Sequence, residues 1–128
     1  MVRWCKAALA EVGGSVQLSL RIVTEAESAE LNGRFRGRAG PTNVLSFPYG
    51  DGHPGKTRFL GDIVICAPLV KAQAAAAHRP EDAHWAHLLI HGILHLQGFD
   101  HETDQDARVM EARETRILEG LGFADPYR

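Results

Sequence analysis

The stretch HGILHLQGFDH, residues 91–101, places three histidines around the predicted end of a helix. His91 and His95 are four residues apart, so on an α-helix their imidazoles lie on the same face, about 6 Å apart along the axis. Gly98 follows three residues later, and glycine readily adopts the left-handed conformation with which many helices end. The chain can then turn back and bring His101 beside the other two. The spacing predicts a three-histidine cluster at the end of a helix.

This cluster has the composition of a zinc site. Two imidazoles four residues apart on a helix form a usual clamp for zinc, and a third leaves one tetrahedral position open to water. Structural zinc sites usually fill all four positions with protein ligands, so the open position indicates catalysis. We predict one Zn²⁺ per chain, held by His91, His95 and His101. For His84 and His87, on the same predicted helix, we expect structural or supporting roles.

The general base of a zinc peptidase is missing from this stretch. In zinc peptidases of this spacing a glutamate follows the first histidine, whereas this chain has Gly92. Asp100 precedes the third histidine and has three interpretations. It could act on the water, accept a hydrogen bond from a ligand imidazole, or be a turn residue that binds backbone N–H groups.

Charge is unevenly distributed along a chain whose net charge is only −2. Residues 100–119 are mainly acidic, whereas residues 33–58 are mainly basic. The basic residues of the second segment are Arg34, Arg36, Arg38, Lys56 and Arg58. Cleavage of a phosphodiester develops negative charge on phosphate oxygens, which a metal ion and a guanidinium can stabilise. The missing glutamate and the basic segment therefore both favour phosphoryl chemistry over peptide hydrolysis.

Composition and periodicity predict a single domain over residues 1–128, in which about five helices and several strands surround one small sheet. Predicted helices cover about residues 2–12, 24–32, 69–78, 80–97 and 104–120. Predicted strands cover about residues 15–24, 43–49 and 59–67, and residues 50–56 have turn composition. Cys5 and Cys66 are expected to be unpaired in a reducing cytoplasm, and no apolar run is long enough to span a membrane.

Five blocks of the sequence resemble the YbeY family of bacterial zinc-dependent endoribonucleases that mature ribosomal RNA. The histidine stretch matches the signature H-G-x-L-H-L-x-G-[FY]-D-H. The other matching blocks are FRGRAGPTNVLSFPY, LGDIVICAP, HWAHLLIHG and GFADPY. The resemblance extends over about residues 16–127. It implies a compact α/β (α+β) fold with a small mixed sheet and a zincin-like site, in which His91, His95 and His101 hold one zinc ion.

The resemblance also implies a function and partners. Arg36 is the family's functionally important arginine, and Arg34 and Arg38 remain candidates for substrate binding. The expected activity is single-strand-specific, metal-dependent endonucleolytic cleavage in 3′-end maturation of small-subunit (16S) ribosomal RNA and in ribosome quality control. Expected partners in the cytoplasm are ribosomal RNA, the small subunit and its proteins, and a ribosome-assembly GTPase. The family's usual N-terminal edge strand is expected to be missing.

Two other functions are compatible with the residues alone. One is a zinc peptidase with a non-standard base such as Asp100. The other is a non-catalytic ribosome-assembly factor whose zinc is structural. The first would cleave peptides without needing Arg36, and the second would unfold on losing zinc while cleaving nothing.

Overall fold

The structure is a computed structural model that describes residues 1–10, 12, 16–49 and 58–127. The turn predicted at residues 50–56 and the end of the first predicted helix at residues 13–14 lie outside the described residues. In chain order the elements are α1 (Val2–Ala8), β1 (Val16–Val23), α2 (Glu25–Arg36), β2 (Val44–Pro48), β3 (Arg58–Cys66), α3 (Ala67–Ala76), α4 (Glu81–Leu96) and α5 (Asp104–Gly120). The predicted mixture of five helices with a small mixed sheet is confirmed for this part of the chain.

The sheet has the order β1-β3-β2, with β1 parallel and β2 antiparallel to the central β3. The nearly continuous apolar run at the end of β3 suits this central position, since a central strand is covered on both faces. Ile63 and Ile65 are fully buried in the larger core cluster, while Val64 and Cys66 belong to a smaller cluster with Val23 and Leu45. The two faces of β3 thus contribute to two separate cores.

Helix α4 is the central helix of the larger core. It packs against α1, α3, α5 and two strands of the sheet. Leu89, Ile90 and Ile93 are completely buried. At 20 to 33 cal/mol for each Å² of apolar surface, burial of such a side chain contributes about 1.5–3 kcal/mol to folding. The helix that carries the histidines is therefore fixed on several sides by the rest of the fold.

The predicted end of α2 near residue 32 is wrong. The helix continues through Gly33 to Arg36 and ends at Gly37, which has a left-handed φ of 65°. Its start is as predicted, with the Thr24 hydroxyl accepting a hydrogen bond from the Glu27 N–H. Because of this extension, Arg34 and Arg36 lie in the last helical turn, where positive charge is favourable, and only Arg38 lies in the loop.

Two buried polar side chains of α2 hold the loop that follows it. The Ser28 hydroxyl donates to the Thr42 carbonyl at 2.8 Å and accepts from the Thr42 N–H at 2.9 Å. The Asn32 amide donates to the Gly40 carbonyl at 2.9 Å. Satisfied polar groups can be buried at little cost, and here they fasten the loop to the helix. This gives the chain a defined path from Arg36 into β2.

The remaining sequence predictions concern helix ends and the cysteines. Helix α5 covers the predicted residues, and the Thr103 hydroxyl caps it by accepting from the Asp106 N–H at 3.0 Å. Helix α1 ends at Ala8, short of the prediction. Both cysteines are free thiols, as expected. Among the described helices, none combines the length and the apolar character that a membrane span requires.

Candidate metal centre

The three histidines of the signature come together at the end of α4. The candidate ligand atoms of His91, His95 and His101 lie within 4.8 Å of one another. Helix α4 places the first two one turn apart, with ring centroids separated by 4.7 Å. Gly98, with a φ of 101°, lets the chain reverse after the helix and place the His101 ring centroid 5.1 Å from that of His95. The predicted role of Gly98 as the helix stop is thus confirmed.

A buried carboxylate from another helix is part of this centre. Glu114 of α5 is completely buried, and its Oε1 accepts a hydrogen bond from Nδ1 of His91. Its Oε2 accepts from the Tyr127 hydroxyl and lies 3.4 Å from Nε2 of His87. An acceptor at Nδ1 leaves Nε2 of His91 available for a metal. The predicted supporting role of His87 agrees with this contact.

Glu114 was not among the residues singled out from the sequence. A signal for it existed in α5, where Met110, Glu114 and Leu118 follow one another at intervals of four residues and all three are buried. An acidic residue between two apolar residues on the buried face of an amphipathic helix needs a partner in the interior. Here the partners are His91, His87 and Tyr127.

Ionisation states in the centre suit metal binding. Burial by itself raises the pKa of Glu114, but hydrogen bonds from His87, His91 and Tyr127 outweigh burial and hold that pKa at about 2. Burial and the neighbouring Glu114 carboxylate raise the pKa of Tyr127, so its hydroxyl keeps a proton to donate. Burial, with repulsion from His91 and His101, lowers the pKa of His95. A neutral imidazole is the form that binds a metal.

The donor set and its surroundings fit zinc. Three imidazoles are a common set of protein ligands for catalytic zinc, and a carboxylate on the far nitrogen of one ligand is a usual supporting contact. A cavity of about 310 Å³ opens beside the cluster. It is lined by His91, His101, Ala107, Met110, Glu111, Glu114 and Tyr127. Met110 is buried in the larger core and also borders this cavity.

Gly92 and Asp100 are the two residues considered in connection with the missing general base, and their surroundings differ. A Cβ at position 92 would lie 3.1 Å from Ser46 Oγ and 3.3 Å from Ile63 Cδ1, so this position faces the sheet. Asp100 is exposed, and its carboxylate accepts a hydrogen bond from the His101 N–H at 2.7 Å. This contact matches the turn interpretation of Asp100 among the three that the sequence left open.

The arginines predicted to bind substrate lie outside the histidine cluster. Arg34, Arg36 and Arg38 are exposed at the end of α2 and in the loop behind it. In the part of the chain that the structure describes, no hydrogen bond, ion pair or ring contact connects them to the histidines. The loop after Arg36 leads into β2, and β2 packs on α4. Arg36 is therefore linked along the chain to the strand that supports the helix carrying His91 and His95.

Fold and site together define a small α/β domain with a candidate three-histidine metal centre at the end of its central helix. The chain belongs to the YbeY family, because the family model described as "Endoribonuclease YbeY" matches residues 1–122.

Curated relatives agree with this assignment. Endoribonuclease YbeY of Alkalilimnicola ehrlichii is 53% identical, with 98% of this chain and 78% of the relative covered. The protein of the same name from Methylococcus capsulatus is 50% identical, with coverages of 98% and 82%. That from Nitrosococcus oceani is 46% identical, with coverages of 98% and 84%.

A solved structure has a similar fold. The solution structure of TM1509 from Thermotoga maritima superposes with a TM-score of 0.60 at 26% identity. The alignment covers 99% of this chain and 87% of that protein. The architecture described above is therefore shared by this protein of Thermotoga maritima.

Proposed function

We propose that this protein is a zinc-dependent endoribonuclease that matures the 3′ end of small-subunit ribosomal RNA. The observation that carries the proposal is the cluster of His91, His95 and His101 in a chain of the YbeY family, whose curated relatives are named endoribonucleases. The basic residues at the end of α2 support an RNA substrate, because exposed guanidinium groups bind phosphates.

The residues of this chain have different roles in the proposed reaction. The three histidines hold the metal, with Glu114 keeping Nδ1 of His91 occupied. When bound, a zinc ion supplies Lewis-acid activation of water or of a phosphoryl oxygen. Arg36 binds the charged phosphate, and Arg34 and Arg38 contribute to binding the RNA backbone. Asp100 keeps the turn that presents His101 in place through the His101 N–H.

The nucleophile is either water or the 2′-hydroxyl of the RNA, and the reaction products separate the two. Attack by water leaves no cyclic phosphate. Attack by the 2′-hydroxyl leaves a 2′,3′-cyclic phosphate and requires that hydroxyl, so a substrate with a 2′-deoxy nucleotide at the cleavage position would not be cut.

The proposed biological setting is the cytoplasm, beside the small ribosomal subunit. We include small-subunit proteins and a ribosome-assembly GTPase as proposed partners, together with a part in removing defective ribosomes. The family membership of the chain supports this setting. Co-sedimentation of the tagged protein with small subunits would test it.

The central experiment is cleavage of an end-labelled precursor of the small-subunit RNA 3′ end. Wild type is compared with His95→Ala, purified identically, and with His78→Asn. His78 is an exposed histidine outside the cluster, and asparagine tolerates its positive φ of 54°. Cleavage by wild type and His78→Asn but not by His95→Ala is expected. Equal cleavage by all three would assign the activity to another site or to a contaminant.

The metal is tested by removing it with a chelator and adding back single ions. Zinc is expected to restore cleavage. Nickel and copper are essential comparisons, because imidazole sites bind them at least as tightly in the general affinity order. Full activity of the chelated protein would contradict the metal-dependent part of the proposal. It would not affect the assignment of RNA as the substrate.

A further inference from the structure

The C-terminal segment after α5 folds back onto the candidate metal centre. Its anchor is Asp125, whose carboxylate accepts hydrogen bonds from the Tyr127 N–H at 2.8 Å and from the Thr115 hydroxyl at 3.3 Å. The Tyr127 ring then packs edge-on against His87, with centroids 5.3 Å apart. This arrangement brings the Tyr127 hydroxyl to Glu114, to which it donates a hydrogen bond.

Tyr127, Glu114 and His91 form a continuous hydrogen-bonded chain from the C-terminal segment to a candidate metal ligand. Glu114 cannot turn away from His91 without breaking its hydrogen bond to Tyr127, because each carboxylate oxygen is engaged by a different donor. The second oxygen also faces Nε2 of His87 at 3.4 Å. The carboxylate is therefore held in one orientation by contacts on both sides.

This orientation decides which nitrogen of His91 carries the proton. An ionised carboxylate only accepts hydrogen bonds, so the Nδ1 that faces it must carry the hydrogen. The remaining nitrogen, Nε2, then presents its lone pair. Free imidazole exchanges its proton between the two nitrogens, and a fixed tautomer removes that freedom before a metal arrives.

We propose that Glu114 and Tyr127 are positioning residues for the metal, which fix His91 as its Nδ1–H tautomer with Nε2 ready to bind. The proposal rests on the metal site of the proposed function, but it does not depend on the RNA substrate. It gives the C-terminal segment a role in the site, since the Tyr127 hydroxyl donates to the Glu114 carboxylate that holds His91.

The first test reads the tautomer of His91 directly, in metal-free protein and without RNA. Long-range proton–nitrogen NMR spectra distinguish the Nδ1–H from the Nε2–H form of each imidazole. Wild type is expected to show His91 as Nδ1–H. Glu114→Met, which removes the acceptor but keeps an apolar side chain of similar length, is expected to lose that form. An unchanged tautomer in a folded Glu114→Met variant would overturn the proposal.

The second test measures zinc affinity by competition with a chelator of known affinity. Removing a supporting contact of a metal ligand typically weakens metal binding about 10- to 100-fold. We expect a loss of this size for Glu114→Met and a smaller loss for Glu114→Gln, whose amide oxygen can still accept from His91. Tyr127→Phe, which removes only one hydroxyl from a residue that is 46% exposed, should also weaken binding.

Two control variants distinguish the loss of metal-ligand positioning from nonspecific damage to the protein. Tyr49→Phe removes a hydroxyl that binds Asp62 at 3.1 Å, and Glu119→Gln neutralises an exposed carboxylate of α5. Both should bind zinc like wild type. If Tyr127→Phe and Glu114→Gln also bound zinc as tightly as wild type, the positioning role would be refuted. If wild type itself bound no zinc, the metal site of the proposed function would fail instead, so the two failures are distinguishable.

Discussion

Gly92 of α4 and Ser46 of β2 are packed so closely that a side chain at position 92 would push against its neighbours. A Cβ on Gly92 would lie 3.1 Å from Ser46 Oγ, and the Ser46 hydroxyl donates to the Gly92 carbonyl at 3.4 Å. The position where zinc peptidases of this histidine spacing carry their general base is therefore a contact between helix and sheet. The absence of the glutamate follows from packing as well as from chemistry.

Replacing Gly92 with glutamate is expected to destabilise the protein rather than to create a peptidase. The side chain would have to displace Ser46 and Ile63 and would bury an unpaired charge, at a combined cost of more than about 3 kcal/mol. The free energy of unfolding in urea measures this cost. Gly120→Glu is the matched control, since nothing lies within 4 Å of a Cβ at position 120. Equal stability of the two variants, with new peptide cleavage by Gly92→Glu, would contradict this explanation.

Gly61 of β3, the one glycine in the three described strands, is expected to tolerate no larger residue. Its φ of 148° is unfavourable for other residues, and a Cβ would lie 2.3 Å from the Phe47 carbonyl oxygen. Gly61 adjoins the point where the register between β1 and β3 shifts. We expect Gly61→Ala to cost at least about 3 kcal/mol of unfolding free energy. Gly120→Ala, at the end of α5, should be neutral or up to about 1 kcal/mol stabilising, and a similar result for both would refute the argument.

Arg36 is expected to affect catalysis without affecting the metal. Loss of a single charge-stabilising donor typically lowers the catalytic rate about 100- to 1,000-fold, and Arg36→Ala should fall in this range when RNA cleavage is measured. Zinc affinity should not change, because no described contact joins Arg36 to the histidines. Arg36→Lys should recover part of the rate, since lysine keeps the charge but not the planar guanidinium.

The matched control for Arg36 is Arg3→Ala, which removes an exposed arginine from α1. Its cleavage rate should equal that of wild type. A loss of activity in both variants would indicate that net charge, rather than a contact made by Arg36, supports RNA binding. In that case increasing the salt concentration would abolish the difference between wild type and Arg36→Ala.

The acid sensitivity of the metal-free protein should depend on Glu114. The pKa of this carboxyl is lowered in the folded state from 4.5 to about 2, so its ionised form stabilises the fold above about pH 4.5. The contribution should be lost as the pH falls from there towards 2. Glu114→Gln lacks it at every pH. The difference in urea midpoint between wild type and Glu114→Gln should therefore be largest near neutral pH and shrink in this window, whereas a constant difference would exclude the linkage.

The sequence alone determined those features that depend on residues close together in the chain. The spacing of His91, His95 and His101 around Gly98 predicted their convergence, because helix periodicity and a glycine stop act locally. The hydroxyl of Thr103 likewise marked the start of α5. The end of α2 was misjudged because a glycine inside a helix costs only about 1 kcal/mol, and Gly33 is tolerated in a helix whose Ser28 and Asn32 hold the following loop.

Only the tertiary structure decided which distant groups share the candidate metal centre. Glu114 lies 23 residues after His91, and Tyr127 lies 40 residues after His87. Nothing in local periodicity relates such positions, because their contacts depend on how α5 packs on α4 and on how the C-terminal segment returns. The buried carboxylate could be suspected from the apolar face of α5. Its hydrogen-bond partners could be identified only from the packed structure. A carboxylate in the interior is stable only where donors from other elements meet it.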